Sequence, residues 1–195
     1  MKPSIFLNDM LTKGAILGGV MLISNISEIA MVTYGKGAAW LSVFAIESIA
    51  FFALFIFLLY RFTRNYANIV VAERKEMPYF TYGNGLSYAS SISALAGVIV
   101  ALGGYIFTHY IVGYEVYIEG YISLMQDVLS TTEIPASMVG QIDQMFKTIR
   151  EQNEPTLIST ILSGIWSFLC RGVLFGLIIA AYTKRAPKFD NQNEQ

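Results

Sequence analysis

Four long apolar stretches, separated by polar segments, set the plan of the chain. They cover residues 14–33 (GAILGGVMLISNISEIAMVT), 38–60 (AAWLSVFAIESIAFFALFIFLLY), roughly 85–111, and 156–182 (TLISTILSGIWSFLCRGVLFGLIIAAY). Each has about the 20 residues that a helix needs to cross a bilayer. The pattern predicts an all-α integral membrane protein with four transmembrane helices in a single membrane domain.

The connections refine this plan. Tyr34 to Gly37 is too short for anything but a tight link between antiparallel helices. Beyond Tyr60, apolar Phe62, Tyr66 and Val70 recur at helical spacing among Arg61 and Arg64, so the second helix is expected to outrun the bilayer and break at Pro78. Thr81 is placed to cap the third helix. Between 112 and 155, two runs show spacings of three and four: Tyr114, Tyr117, Tyr121, Met125 and Val128, then Met138, Ile142, Met145 and Ile149. They predict an amphipathic helical hairpin, hinged near Ser130 to Pro135. Ahead of the first span, Ile5-Phe6-Leu7 is expected to lie along the membrane surface. Lysines followed by an apolar run would also suit a signal peptide, but no A-x-A-like site follows and the next apolar segment starts almost at once.

Charge gives the plan a direction. Lys2, Lys13, Arg61, Arg64, Arg74, Lys75, Lys184, Arg185 and Lys188 fall on one side, whereas only Lys36, Lys147 and Arg150 fall on the other. By the positive-inside rule both termini are cytoplasmic and the hairpin is extracytoplasmic.

Composition narrows the function classes. Hydrophobic residues make up 54% of the chain and charged residues 14%, against about 25% charged in soluble domains. The net charge of -1, with no basic tract interleaved with aromatics, argues against a nucleic-acid partner. One cysteine and one histidine leave no Cys-rich or multi-histidine metal site, so neither metal nor cofactor is implied. Cys170 reads as an inert buried thiol, and His109 as an interfacial residue among Tyr105, Tyr110 and Tyr114. Ser163-Gly164 with His109 is the nearest approach to a catalytic pair. A rhomboid-type nucleophile needs G-x-S-G, and Ile161 stands where the first glycine belongs, so the chain is not read as an enzyme.

The candidate chemistry lies in three intramembrane charges. Arg171 sits in the middle of the last span, where a guanidinium costs about 2.5–3.5 kcal/mol on insertion scales. Glu28 and Glu47 are the acids inside other spans, and they are expected to converge on it. Three readings stay open: mutual neutralisation that fixes helix register, a water-accessible path or anionic head-group site, and contact with a partner subunit. Small residues supply the packing expectation. Gly14 and Gly18, then Ala89, Ser93, Gly97 and Ala101, then Gly172, Gly176 and Ala180, repeat every fourth residue and let neighbouring helices approach closely.

The segment AERKEMPYFTYGNGLSYA at residues 72–89, with Thr81-Tyr82-Gly83-Asn84 leading into the third helix, resembles bacterial membrane proteins grouped as domain of unknown function 4199, found mainly in Bacteroidetes. The hairpin from about Tyr114 to Glu154, and a glycine-rich last helix from Gly172 ending in basic residues at Arg185, extend the resemblance over most of the chain. Asn84 stands where glutamine is usual. The resemblance implies the four-span topology and an inner-membrane location, but no activity. The leading expectation is a non-catalytic accessory or scaffolding subunit of an envelope complex, in contact with the lipid bilayer and with a membrane-protein partner or a second copy. The alternative is a small oligomeric transporter or a lipid- or anion-binding protein that uses Glu28, Glu47 and Arg171. A closed, dry charge cluster would favour the first, and a hydrated cavity reaching the charges the second.

Overall fold

The computed structural model describes residues 3–36, 39–73, 79–130 and 136–185. These form six α-helices: α1 (Pro3–Tyr34), α2 (Ala39–Glu73), α3 (Tyr82–Ile106), α4 (Tyr114–Ser130), α5 (Ala136–Glu151) and α6 (Leu157–Thr183). A π-helical segment, Phe107–Val112, continues α3. No strand is present among the described residues, only one isolated bridge between Phe80 and Arg185. Four helices are long and apolar enough to cross a membrane, over Ile5–Tyr34, Ala39–Glu73, Tyr82–Val112 and Leu157–Thr183.

Two boundaries differ from expectation. Residues 3–13 form no separate surface segment, because α1 runs unbroken from Pro3 to Tyr34. Phe6 holds this first part in the bundle, edge-on to Tyr66 at 5.8 Å and to Tyr88 at 6.1 Å. The third span starts earlier, at Tyr82, with Thr81 as its N-cap accepting from the Asn84 amide at 3.1 Å. Its far end is π-helical rather than α-helical, and Gly113 closes it at φ 92°, a value that favours glycine. The expected break at Pro78 and the hinge after Ser130 lie outside the described residues.

α3 is the central helix, lying chiefly against α6 and then against α1. Its small-residue stripe explains why. Along the α3–α6 seam, Gly85 faces Ala180, Ala89 faces Gly176, Ser93 faces Gly172, Gly97 faces Phe168 and Gly164, and Ala101 faces Gly164. Each advance of four residues on α3 is matched by four back along α6, so the helices are antiparallel and in one register throughout. On its other side α3 runs parallel to α1, with Gly14 against Leu95 and Gly18 against Ile99 and Ala96. Close packing of this kind drives helix association in lipid, where no hydrophobic effect separates helix from solvent.

α2 joins mainly at the end of the bundle that carries the basic residues. Its buried residues run from Phe55 to Val70, whereas Val43, Ile46, Ile49 and Phe52 remain exposed. At that end Tyr66 stacks on Tyr88 at 4.1 Å, Phe80 meets Tyr66 edge-on, and the Tyr88 hydroxyl donates to Asp9. The Phe80–Arg185 bridge ties the segment before α3 to the segment after α6 through backbone hydrogen bonds of 3.1 and 2.9 Å. At the opposite end α4 docks on α1, where Gly120 lies against the backbone of Val32 and Thr33. α5 leans on α4, and Arg150 donates twice to Glu119 at 2.8 and 3.0 Å.

Candidate functional site

Both α1 and α6 lie against α3, but they do not pack against each other. Near the basic end α2 covers the groove between them. Toward the hairpin end it stays open, as a cleft of about 490 Å3 floored by Val100, Ala101 and Gly104 of α3 and bounded by Tyr114 and Tyr117 of α4. This volume falls within the range of small-molecule sites.

The polar residues of the cleft come from helical stripes within otherwise apolar helices. α1 contributes Ser24, Asn25 and Glu28, and α6 contributes Thr160, Ser163, Ser167 and Arg171. Spacings of three and four put each set on one face. Asn25 lies directly over Gly104, whose missing side chain makes room for it. The walls therefore present hydroxyls, an amide, a carboxylate and a guanidinium to one space.

Of the three expected charges, Glu28 and Arg171 line the cleft, while Glu47 is half-buried on α2 and does not. Glu28 lies within electrostatic reach of both Glu47 and Arg171. The ion pairs among the described residues lie elsewhere, at Lys147–Glu151 and Arg150–Glu119. The Arg171 guanidinium, exposed on α6, instead stands 5.2 Å from the centre of the Phe168 ring in a cation–π contact.

The small residues expected at helix contacts sit as follows. Ala89, Ser93, Gly97 and Ala101 line the α3–α6 seam with Gly172, Gly176 and Ala180, and Gly14 and Gly18 lie on the α1–α3 contact. Gly85 and Gly164 extend the seam at its two ends, positions that the four-residue repeat also reaches.

His109 occupies the π-helical turn at the mouth of the cleft. Its ring lies between Tyr105 at 3.9 Å and Tyr114 at 5.3 Å. Nδ1 sits 3.0 Å from the Tyr105 carbonyl, which can only accept, so Nδ1 carries the proton. Nε2 is buried without a hydrogen-bond partner. Ser163 lines the same cleft, yet no hydrogen bond joins it to His109, and a nucleophile requires that contact. Burial pushes the Tyr117 phenol above its ordinary pKa, and the Glu28 charge adds to the effect.

Two smaller points complete the geometry. Cys170 is exposed rather than buried, on a face of α6 that also exposes Trp166, Val173, Leu174 and Leu177. No group of three His, Cys, Asp or Glu side chains able to hold a metal occurs among the described residues. Sequence reasoning missed Tyr117, Thr160 and Ser167 as cleft residues, although the polar stripe on α6 was there to be read.

One comparison with known proteins gives a match. The family described as "Protein of unknown function (DUF4199)" matches residues 12–185. No curated protein and no solved structure shows a match.

Proposed function

The chain belongs to the DUF4199 family, and on that footing we propose that it is a bacterial inner-membrane protein that binds an amphiphile with an anionic head group. The head sits in the cleft between α1 and α6. The observation that carries this reading is an open cleft with Arg171 on one wall and Glu28 on the other. A purely structural cluster would close its charges on one another; here the guanidinium is exposed, lines the cleft and is in no ion pair among the described residues. Its fork takes a phosphate or carboxylate in two parallel hydrogen bonds. Glu28 then receives a hydroxyl or ammonium of the same ligand, and the tail leaves along the gap where α1 and α6 do not meet. The basic residues at the other end of the bundle support cytoplasmic termini, with the cleft opening toward the extracytoplasmic side.

The test is native mass spectrometry of the full chain in mild detergent, comparing wild type with Arg171→Gln. Retention of one amphiphile per chain, lost in the variant, is expected. Water access is checked separately by Ser167→Cys in a Cys170→Ser background. Labelling by a charged maleimide is expected, and absence of both ligand and label would overturn the reading.

The accessory-subunit reading has one observation in its favour. The first half of α2 exposes Val43, Ile46, Ile49 and Phe52 and packs little against the rest. A partner helix or a second copy would cover that strip. Photocrosslinking from Ile46 separates the cases: a discrete protein adduct supports the subunit, and lipid adducts alone count against it.

A further inference from the structure

We propose a second ligand site, independent of the first, at the basic end of the bundle: a phosphate-binding cleft between α2 and the end of α6. It holds about 240 Å3 and is lined by Arg64, Lys184 and Arg185 together with Tyr60 and Tyr182. No carboxylate lines it. None of its three cations takes part in an ion pair among the described residues.

Basic residues at helix ends usually serve topology alone, each extended separately into solvent. Here they converge on one concavity, and part of the arrangement is fixed in advance. The backbone of Arg185 is held by its paired hydrogen bonds to the backbone of Phe80. Its side chain donates to Asn68 of α2 through Nη2, which anchors the guanidinium between the two helices. Arg64 is steadied in turn, its Nη1 donating to the Tyr60 hydroxyl at 3.3 Å. Preorganised guanidinium forks beside an ammonium match a tetrahedral oxyanion and leave little rotamer entropy to lose on binding.

Depth selects the ligand. Tyr60 and Tyr182 mark the interfacial level of α2 and α6, and Tyr182 is 81% exposed. Lipid phosphates lie at that level, and basic pockets between spanning helices suit anionic head groups. The ligand chemistry is therefore a phosphate group with net negative charge. Its expected source is an anionic phospholipid, and a soluble phosphate ester is the alternative source.

The full chain in mild detergent tests this by native mass spectrometry with phosphatidylglycerol and phosphatidylcholine, and with glycerol phosphate as competitor. Wild type is expected to hold, besides the amphiphile of the first cleft, one added phosphatidylglycerol in preference to phosphatidylcholine. The Arg64→Gln, Lys184→Gln double variant should weaken it by about fivefold for each cation removed. Lys184→Arg should keep the binding, which separates lost charge from lost fold, and Arg171→Gln, which empties the first cleft, should still hold this added lipid, which separates the two sites. Displacement by millimolar glycerol phosphate would assign the site to soluble esters, and its failure to compete would assign it to lipid. Equal binding of both lipids, or full retention by the double variant, would overturn the proposal.

Discussion

Gly97 of α3 and Gly164 of α6 meet backbone to backbone: a Cβ built on Gly97 would stand 2.5 Å from the Gly164 carbonyl oxygen. No side chain at either position could yield, so the contact fixes both the spacing and the register of the two helices. Gly97→Ala should therefore lower the thermal midpoint in detergent, at an overpacking cost of about 1–3 kcal/mol.

Neighbouring glycines of α1 give a sharper version of the same test. A Cβ on Gly18 would lie 2.9 Å from Ile99 and 3.1 Å from the Ala96 backbone, whereas one on Gly19 meets nothing within 4 Å. Gly18→Ala should destabilise the protein. Gly19→Ala should be neutral or stabilise it by up to about 1 kcal/mol, since a mid-helix glycine carries only an entropic cost. Thermal melts of the two variants, one position apart, should shift in opposite directions or only for the first.

The Tyr88–Asp9 hydrogen bond supplies a third prediction. Tyr88 is fully buried and stacked on Tyr66, so Tyr88→Phe preserves the shape but strands the partly buried carboxylate. A loss of about 1.5–3 kcal/mol is expected, the range for hydrogen bonds to charged groups. Adding Asp9→Asn should recover part of it, and a double-mutant cycle on unfolding measures the recovery.

The hairpin carries a pH dependence. The two Arg150 donors hold the Glu119 carboxyl below its ordinary pKa, and Glu119 raises that of Arg150. A lowered carboxylate pKa contributes stability that is fully present above the ordinary glutamate value. That contribution is lost as the pH falls through the lowered one. Spin labels on α4 and α5 should report closer helices at neutral pH than in strong acid. Glu119→Gln should remove most of that difference, and a pH response unchanged by the substitution would refute the assignment.

The three intramembrane charges give the last prediction. Arg171 makes no ion pair with either acid, so Arg171→Met and Glu47→Gln should couple by less than about 1 kcal/mol in a double-mutant cycle. Coupling of several kcal/mol would instead mark a closed buried pair.

The spans and the packing stripe were legible in the sequence because both rest on local periodicity: apolar runs of bilayer length, and small residues every fourth position from Ala89 to Ala101. The polar cleft was half legible. Glu28 and Arg171 stood out as costly residues and Ser163 for its hydroxyl beside a glycine, but Thr160 and Ser167 share the Arg171 face and gain meaning only once that face is known to be open. Other features depended on partners far away in the chain. Phe6 belongs to the bundle because Tyr66 and Tyr88 are there to receive it, and nothing local in residues 3–13 says so. Cys170 shows a different failure: an apolar face signals burial only in water, and a helix in lipid turns such faces outward as well.

The Phe80–Arg185 bridge closes a loop around the glycine seam. It ties the segment before α3 to the segment after α6 by two backbone hydrogen bonds, while Gly97 and Gly164 lock the same two helices near the cleft. The floor of the cleft and its α6 wall are thus clamped at both ends, so a ligand entering there meets a surface that is already set.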